Sequence, residues 1–464
     1  MTRRLDGLSL PHSDKTKKHK SPRRRRRWLT WAVLAILMTA VSLTTLWAEP
    51  ILAALPFNVS EKVALARLAK PGVYLVLFQN ERELRPTGGF LGSFAEVEIG
   101  WGGHLKAIQV ETNIYRRDHA YAAKLGREAP EPMREFLGET PWALRDSNWA
   151  LDFPEAAQEV SWFYSHEGGR EVDGVIALDA RLLERLLKLT GPITLVDYDT
   201  ELTAENVVDQ LMNEIEQDYW LDPTHTAENQ PKTILADLAP VLIEKIRAIS
   251  EPALLGEVVK AFAAKEILVY HRDPSLAAAF ARANWDGHVA KTADDILYVN
   301  EANLTPVNGR AHVVGAKSSW SIERTASLTR TPVAAGGSHH TLLLTRHHRG
   351  QNVWPDGPNA SYLRIAVPAG STLLSASRNG LDITAEVRFS VEAGITVFGF
   401  WSKLNPGERE DVRLDYQTPT AATTDLLLER QPGMPAYPVK VFNDVKQIWQ
   451  GSLTTDQLIS ATRS

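Results

Sequence analysis

Two stretches of this chain carry residue types that can hold a phosphate group or a divalent cation. The first, Phe78 to Phe90, reads FQNERELRPTGGF. Apolar residues empty into a polar loop that bears Arg82 and Arg85 and closes on Gly88-Gly89. A planar guanidinium fork matches phosphate oxygens, and paired glycines let a backbone approach a ligand closely. The alternative is a tight turn in which Arg85 pairs with a core carboxylate. The second stretch, Leu144 to Pro154, reads LRDSNWALDFP. Asp146, Asn148 and Asp152 are hard oxygen donors suited to a divalent metal, and Arg145 adds a second anion contact. The 146/148 spacing lacks the glycine and terminal glutamate of a calcium loop, so that site is excluded. Asp152 ahead of Phe153-Pro154 reads equally well as a helix N-cap with proline in the first turn.

Other candidates are weaker. His339-His340 and His347-His348 lie at the two ends of a strand-like run, and eight residues of strand span about 26 Å. They share an ion only if the chain folds back between them. The chain has no GxSxG, P-loop, HExxH or dinucleotide fingerprint. It has no cysteine, which removes disulfides, thiolate metal sites and cysteine nucleophiles. Sequons at Asn58, Asn303 and Asn359 matter only in a host that glycosylates exported proteins.

The elements that must position these residues follow from hydrophobic pattern. Val73 to Phe78 (VYLVLF) is a continuous apolar run and predicts a buried strand; Phe90 to Ile99 alternates, and Gly100 to Gly103 turns it into Leu105 to Glu111. Val175 to Leu178 predicts a strand feeding a helix over Arg181 to Leu189, stopped by Gly191-Pro192. Strands interleaved with helices indicate an α/β layer domain over residues 57–200. Residues 201–300 read as a helical extension: Val207, Leu211 and Ile215 share a face behind Thr203 as N-cap, and Leu235, Leu238, Leu242 and Ile246 do the same. Short strands at 319–329, 341–345, 362–367, 383–391, 395–401 and 412–416 predict an all-β, sandwich-like domain over 301–430, followed by a C-terminal segment, 431–464.

The net charge of −5 over 464 residues hides an asymmetry. Residues 1–27 hold eleven Lys/Arg against two Asp/Glu, +9; the remainder holds forty against fifty-four, −14. Between them, Trp28 to Trp47 runs twenty residues without charge or proline. That length spans about 30 Å as a helix, the thickness of the hydrocarbon layer, with tryptophans at both interfaces. Arginines flush against its start place residues 1–27 in the cytoplasm and the rest outside. The run is longer than a signal-peptide core and lacks a small residue at −3, so an uncleaved single-pass signal anchor in the cytoplasmic membrane is expected. The basic tail is then explained by topology and anionic lipid rather than nucleic acid.

FQNERELRPTGGFLGSF, DSNWALDFPEAA, VDGVIALDARLLERLLKLTGPI and KEILVYHRDPSLAAAFARANWDG, in that order, resemble the domain of unknown function 4012 family of bacterial envelope proteins. ANLTPVNGRAHVVGAKSSW and YLRIAVPAGSTLLSAS are similar to its C-terminal part, so the likeness spans most of residues 57 to 420. A more distant resemblance is to the LytR-CpsA-Psr glycopolymer ligases, in the order VYLVLF, Arg85, DSNWALDFP and the strand–helix from Val172. It implies a membrane-anchored α/β domain that takes a phosphoglycopolymer from a polyprenyl diphosphate carrier, with arginines holding the diphosphate beside magnesium. It would put Arg85 on a phosphate, with Arg82, Arg145 and the backbone of Gly88 and Gly89 beside it. Arg85 and Asp152 would be catalytic, and Asp146, Asn148 and Asp152 the metal ligands. Two carboxylates of that family are replaced here by Gln79-Asn80 and by Pro86-Thr87-Gly88, and neutral amides are poor magnesium ligands. Two functions follow as expectations. One is binding, with or without transfer, of a lipid-diphosphate-linked glycan or cell-wall polymer. The other is a non-catalytic envelope module for a protein or polysaccharide.

Overall fold

The computed structural model describes residues 70–460, apart from 101–104, 112, 139–140, 222–229, 290–293, 307–315 and 335. The basic tail and the apolar segment 28–47 lie outside the described residues. Among the described residues no helix is long and apolar enough to cross a membrane.

The run VYLVLF lies in β1 (Gly72–Arg85), which pairs antiparallel with β2 (Gly88–Ile99) and parallel with β4 (Gly174–Asp179). With β3 (Leu105–Glu111) and β7 (Ile267–His271) they form a sheet of order β3-β2-β1-β4-β7. The run is apolar without alternation because both faces of β1 are covered. Tyr74 and Val76 pack among α4 (Arg181–Thr190), α5 (Val207–Glu216), α6 (Thr233–Arg247), α7 (Glu251–Ala263) and α8 (Pro274–Ala283). Leu75 and Leu77 pack against α3 (Phe153–His166), with Ile114 of α1 (Ile114–Leu125) and Met133 of α2 (Glu131–Leu137). A small hairpin, β5 (Ile193–Leu195) with β6 (Thr200–Leu202), closes the first layer.

Much of the 201–300 region, expected as a helical extension, packs on the first domain's sheet. Its helices are one covering layer of that sheet, residues 267–271 are the sheet's edge strand, and Asn206 rather than Thr203 stands at the N-cap of α5. Leucine spacing identifies a helix but not the surface it covers.

The second domain is two facing sheets. One has the order β14-β15-β11-β8-β17-β20, the other β13-β12-β16-β10-β9-β18-β19. Their strands are β8 (Asp295–Asn303), β9 (Ile322–Pro332), β10 (Ser338–His348), β11 (Asn359–Val367), β12 (Thr372–Arg378), β13 (Leu381–Asp382), β14 (Arg388–Glu392), β15 (Ile395–Leu404), β16 (Arg409–Thr418), β17 (Leu426–Glu429), β18 (Pro438–Asn443), β19 (Lys446–Ser452) and β20 (Gln457–Ile459). Leu363, Ile365, Phe398 and Phe400 from the first sheet meet Leu328, Leu342, Val412 and Leu414 from the second in one core. The strands reach from residue 295 to 459, so the segment after 430 is part of the sandwich. The stretch 383–391 is broken by a 3-10 turn, Thr384–Glu386.

The domains are joined by the β1–β2 hairpin. The polar stretch after Phe78 is strand, not loop: Leu84 pairs with Gly89 and Arg85 with Gly88, leaving Pro86-Thr87 as the turn. Leu84 is fully buried in the sandwich core and not in the core of its own sheet. Leu84→Ala should lower the unfolding free energy by about 3 kcal/mol, the range for a buried leucine leaving a cavity, measured by urea denaturation.

Candidate functional site

The register of β1 against β2 slips between Asn80 and Leu84, so Glu81, Arg82 and Glu83 bulge out of the ladder. The two glycines serve this distortion. Gly88 has φ +137, and a Cβ there would fall on the Gln79 carboxamide; a Cβ on Gly89 would fall on the Asn80 peptide. The close approach they permit is of one strand of the hairpin to the other.

Arg85 is 2% exposed and its donors are taken up within the protein. Nε and Nη2 donate to Asp146 Oδ1 at 3.2 and 2.9 Å, Nη2 to Glu83 Oε1 at 3.0 Å, and Nη1 to the carbonyls of Leu84 and Asn303 at 3.2 and 2.5 Å. Burial works against the charge, but Asp146 and Glu83 outweigh it and hold the guanidinium protonated. The phosphate-binding and catalytic expectation for Arg85 is corrected accordingly: a cation enclosed with two carboxylates has no open side for a diphosphate.

The expected metal ligands are committed separately. Asp146 also takes Arg145 at 3.3 Å, and Arg145 reaches Asp118 at 2.9 Å. Asn148 donates to Thr87 Oγ1 and the Gly89 carbonyl at 3.2 and 3.0 Å, clamping the hairpin turn. Asp152 stands at the N-cap of α3, but its Oδ1 accepts from the Val289 amide at 2.8 Å. Among the described residues no three His, Asp or Glu side chains are grouped as a metal site. The two His pairs lie at opposite ends of the uninterrupted strand β10. Asn303 and Asn359 are buried, with side-chain amides donating to Ser319 and Ser318, so neither is a surface glycan acceptor.

A different cluster lies at the carboxyl ends of the parallel pair β1 and β4, where α/β sheets commonly place ligands. Arg82 from the bulge and Arg181 from the start of α4 both approach the ring of Trp320, at 4.7 and 5.7 Å. Arg181 is held by Asp179, the last residue of β4, at 2.7 Å, while Arg82 pairs with Asp209, which is 58% exposed. Glu81 is buried behind them and accepts from the Ala180 amide; burial first, then the charge of Asp179, pushes its carboxyl well above the usual range. Arg430 lies within electrostatic reach of Arg181, and its Nη groups donate to the carbonyls of Ala264, Gln431 and Met434. Burial first, then the charge of Arg181, brings Arg430 down to about 10 against the pull of Asp179, Glu266 and Asp456. Three buried donors in this cluster lack a partner: Nε of Arg82, Nε of Arg430 and Nε1 of Trp320.

Of the predicted residues only Arg82 belongs to this cluster. Arg181 and Trp320 sit in VDGVIALDARLL and GAKSSW, stretches already marked by the family resemblance. The readable signal was Asp179-Ala180-Arg181 at a strand-to-helix junction; nothing local in sequence links Trp320 or Arg430 to it.

Residues 70–215 match the model of a family described as a protein of unknown function, DUF4012. No curated protein matches the sequence. Among solved structures, a candidate nutrient-binding protein from Legionella pneumophila is similar at 9% identity and TM-score 0.20, over 27% of this chain and 51% of that one. An M1 zinc metallopeptidase from Deinococcus radiodurans is similar at 17% identity and TM-score 0.17, over 26% and 31%. Yeast LTA4 hydrolase in complex with bestatin is similar at 10% identity and TM-score 0.16, over 33% and 30%. The chain thus spans about half of the first of these and a third of the others, and at such scores none bears on function.

Two outcomes test the buried charges. Arg85→Ala takes from the buried Asp146 its nearer cation, leaving only Arg145 at 3.3 Å, and should cost about 3 kcal/mol in urea unfolding, most of it recovered in Arg85→Met/Asp146→Leu. Glu167, buried beside Asp118, is pushed up to about 8, first by burial and then by that neighbouring charge. The folded chain therefore keeps a proton that the unfolded chain releases above its ordinary carboxylate value, and stability falls as pH rises from that value to about 8. Urea titrations at pH 5 and pH 9 should show a smaller loss in Glu167→Gln than in the parent protein.

Proposed function

We propose that this protein is a membrane-tethered module of the bacterial cell envelope that binds a phosphorylated, lipid-linked glycan and does not transfer it. The observation that carries the reading is the cluster of Arg82, Arg181 and Trp320 at the carboxyl ends of β1 and β4. Its unpartnered groups are all N–H donors, on Arg82, Arg430 and Trp320. A ligand that completes them must bring acceptors, and next to three guanidinium groups the favoured acceptor is anionic oxygen. A phosphate or diphosphate supplies that chemistry. Asp209, 58% exposed, leaves a carboxylate oxygen in the same region for a sugar hydroxyl.

Binding without transfer follows from the same side chains. Phosphoryl transfer relies on positioned positive charge and a metal ion. Arg85, the residue that the ligase resemblance would assign to it, is enclosed with Asp146 and Glu83. Asp146 and Asp152 are bound to other partners of the chain, and of the three only Asn148 keeps an unpartnered oxygen, so magnesium has no ready set of ligands there. The membrane tether is the apolar segment 28–47, with the basic tail inside and the two domains outside.

The test is a calorimetric titration of the full chain in detergent micelles with a polyprenyl diphosphate and with the matching polyprenol, each with and without magnesium. Binding of the diphosphate alone, unchanged by magnesium, is expected. Arg82→Ala and Trp320→Phe, which remove donors while leaving no buried carboxylate unpaired, should each weaken it about tenfold, the worth of one charge-assisted hydrogen bond. Equal affinity for the polyprenol, or an unchanged affinity in the double variant, would overturn the reading.

A further inference from the structure

The sandwich is open along one seam. Strand β14 ends its sheet, and Phe389 pairs with Phe398, so both side chains point to the same face, the inner one. Phe398 is buried in the core between the sheets, yet Phe389 is 64% exposed and Val391, two residues on, 65% exposed. The facing sheet ends there in β13, only two residues long. The gap is a cavity of about 350 Å³ bordered by Ser371, Leu373, Val387, Phe389 and Phe398. Strand β14 has no proline, glycine or register shift that would blunt its edge.

The sequence of β14, Arg-Phe-Ser-Val-Glu, is complementary to itself when reversed. We infer that β14 pairs antiparallel with β14 of a second copy of this chain about a two-fold axis through Ser390, closing the seam of both sandwiches. In that register Phe389 faces the partner's Val391 on the inner side, and Arg388 faces the partner's Glu392 on the outer side. A shift of one residue would set Phe389 against serine and lose both matches. The hairpin from β14 to β15 turns on Ala393 and Gly394, both at positive φ (51° and 81°), the two-residue type whose closing pair is hydrogen-bonded. Glu392 and Ile395 form that pair, so by alternation Phe389 and Val391 turn their peptide groups to the free edge. They would bond across the axis, and Ser390 would meet its symmetry mate as a non-hydrogen-bonded pair. Arg388 and Glu392 are meanwhile held at the edge by Glu135 and Arg364, each at 2.8 Å. Two six-stranded sheets become continuous, an isologous interface between identical edges.

The absence of cysteine makes the test unambiguous, since Ser390→Cys introduces a lone thiol. Cα atoms of a non-hydrogen-bonded pair lie about 4.5 Å apart, within reach of a disulfide. The full-length variant, oxidised mildly in isolated membranes, should run on a non-reducing gel at twice 51.5 kDa. It should do so roughly fivefold more than Val445→Cys, whose parent residue is 97% exposed on the β18–β19 turn and off the axis. Adding Phe389→Asp and Val391→Asp to Ser390→Cys should bring cross-linking down to the Val445→Cys level. Equal yields from Ser390→Cys and Val445→Cys, or a triple variant that cross-links undiminished, would overturn the pairing. Neither result depends on any ligand of the Arg82 cluster.

Discussion

The arrangement of the two domains depends on one buried cation. Taking the Arg85 guanidinium out of water is tolerable only if its N–H groups all find acceptors. Those acceptors come from four places: Glu83 on the same strand, Asp146 in a turn, the peptide of Leu84, and the Asn303 carbonyl at the end of β8 in the other domain. The peptide carbonyl of Arg85 in turn accepts from Gln431, and that of Pro86 from Asn300. None of these segments can move without exposing an unpaired group, so the hairpin tip fixes how the α/β layers and the sandwich meet.

The same rule governs the neighbouring polar interior. Glu301 on β8 lies between Arg324, at 2.7 and 2.8 Å, and Arg346, at 3.0 Å. Although burial disfavours a carboxylate, the two arginines hold it down at about 2. Gln431 joins this group to the hairpin, bonding the peptide of Glu301 through both ends of its carboxamide while donating to Arg85. The contact between the domains is thus a continuous polar network, in which Nε of Arg346 and of Arg364 stay unmatched. Arg85 has its donors matched within the protein, whereas Arg82, Arg430 and Trp320 each keep an unmatched donor at the carboxyl ends of β1 and β4, which recommends that cluster for the proposed ligand.

The legible parts of the fold were those set by local pattern. VYLVLF coincides with the core of β1 because a strand covered on both faces needs no alternation, and Leu182, Leu183, Leu186 and Leu187 mark α4 by their spacing. Pattern failed where packing partners decide. Leu238, Leu242 and Ile246 look the same whether a helix caps a separate unit or covers a sheet, and here they cover the sheet. Residues after 430 lack a long apolar run, yet Val439 and Val441 fill the sandwich core through alternate positions of β18.

At the candidate site the sequence by itself determined the inventory: arginines and paired glycines in one hairpin, carboxylates in the next loop, no thiols, and a charge-free segment behind a basic tail. Residue type sets what a group can bond and whether it tolerates burial, and that is local information. Which arginine is spent on structure was decided only by tertiary structure. Arg82 and Arg85 are three residues apart on one strand. The bulge between them sends one toward Trp320, 238 residues on, and the other into Asp146 and the end of β8. Charge and hydrogen-bonding capacity belong to the side chain, but accessibility belongs to the neighbours that the fold brings to it.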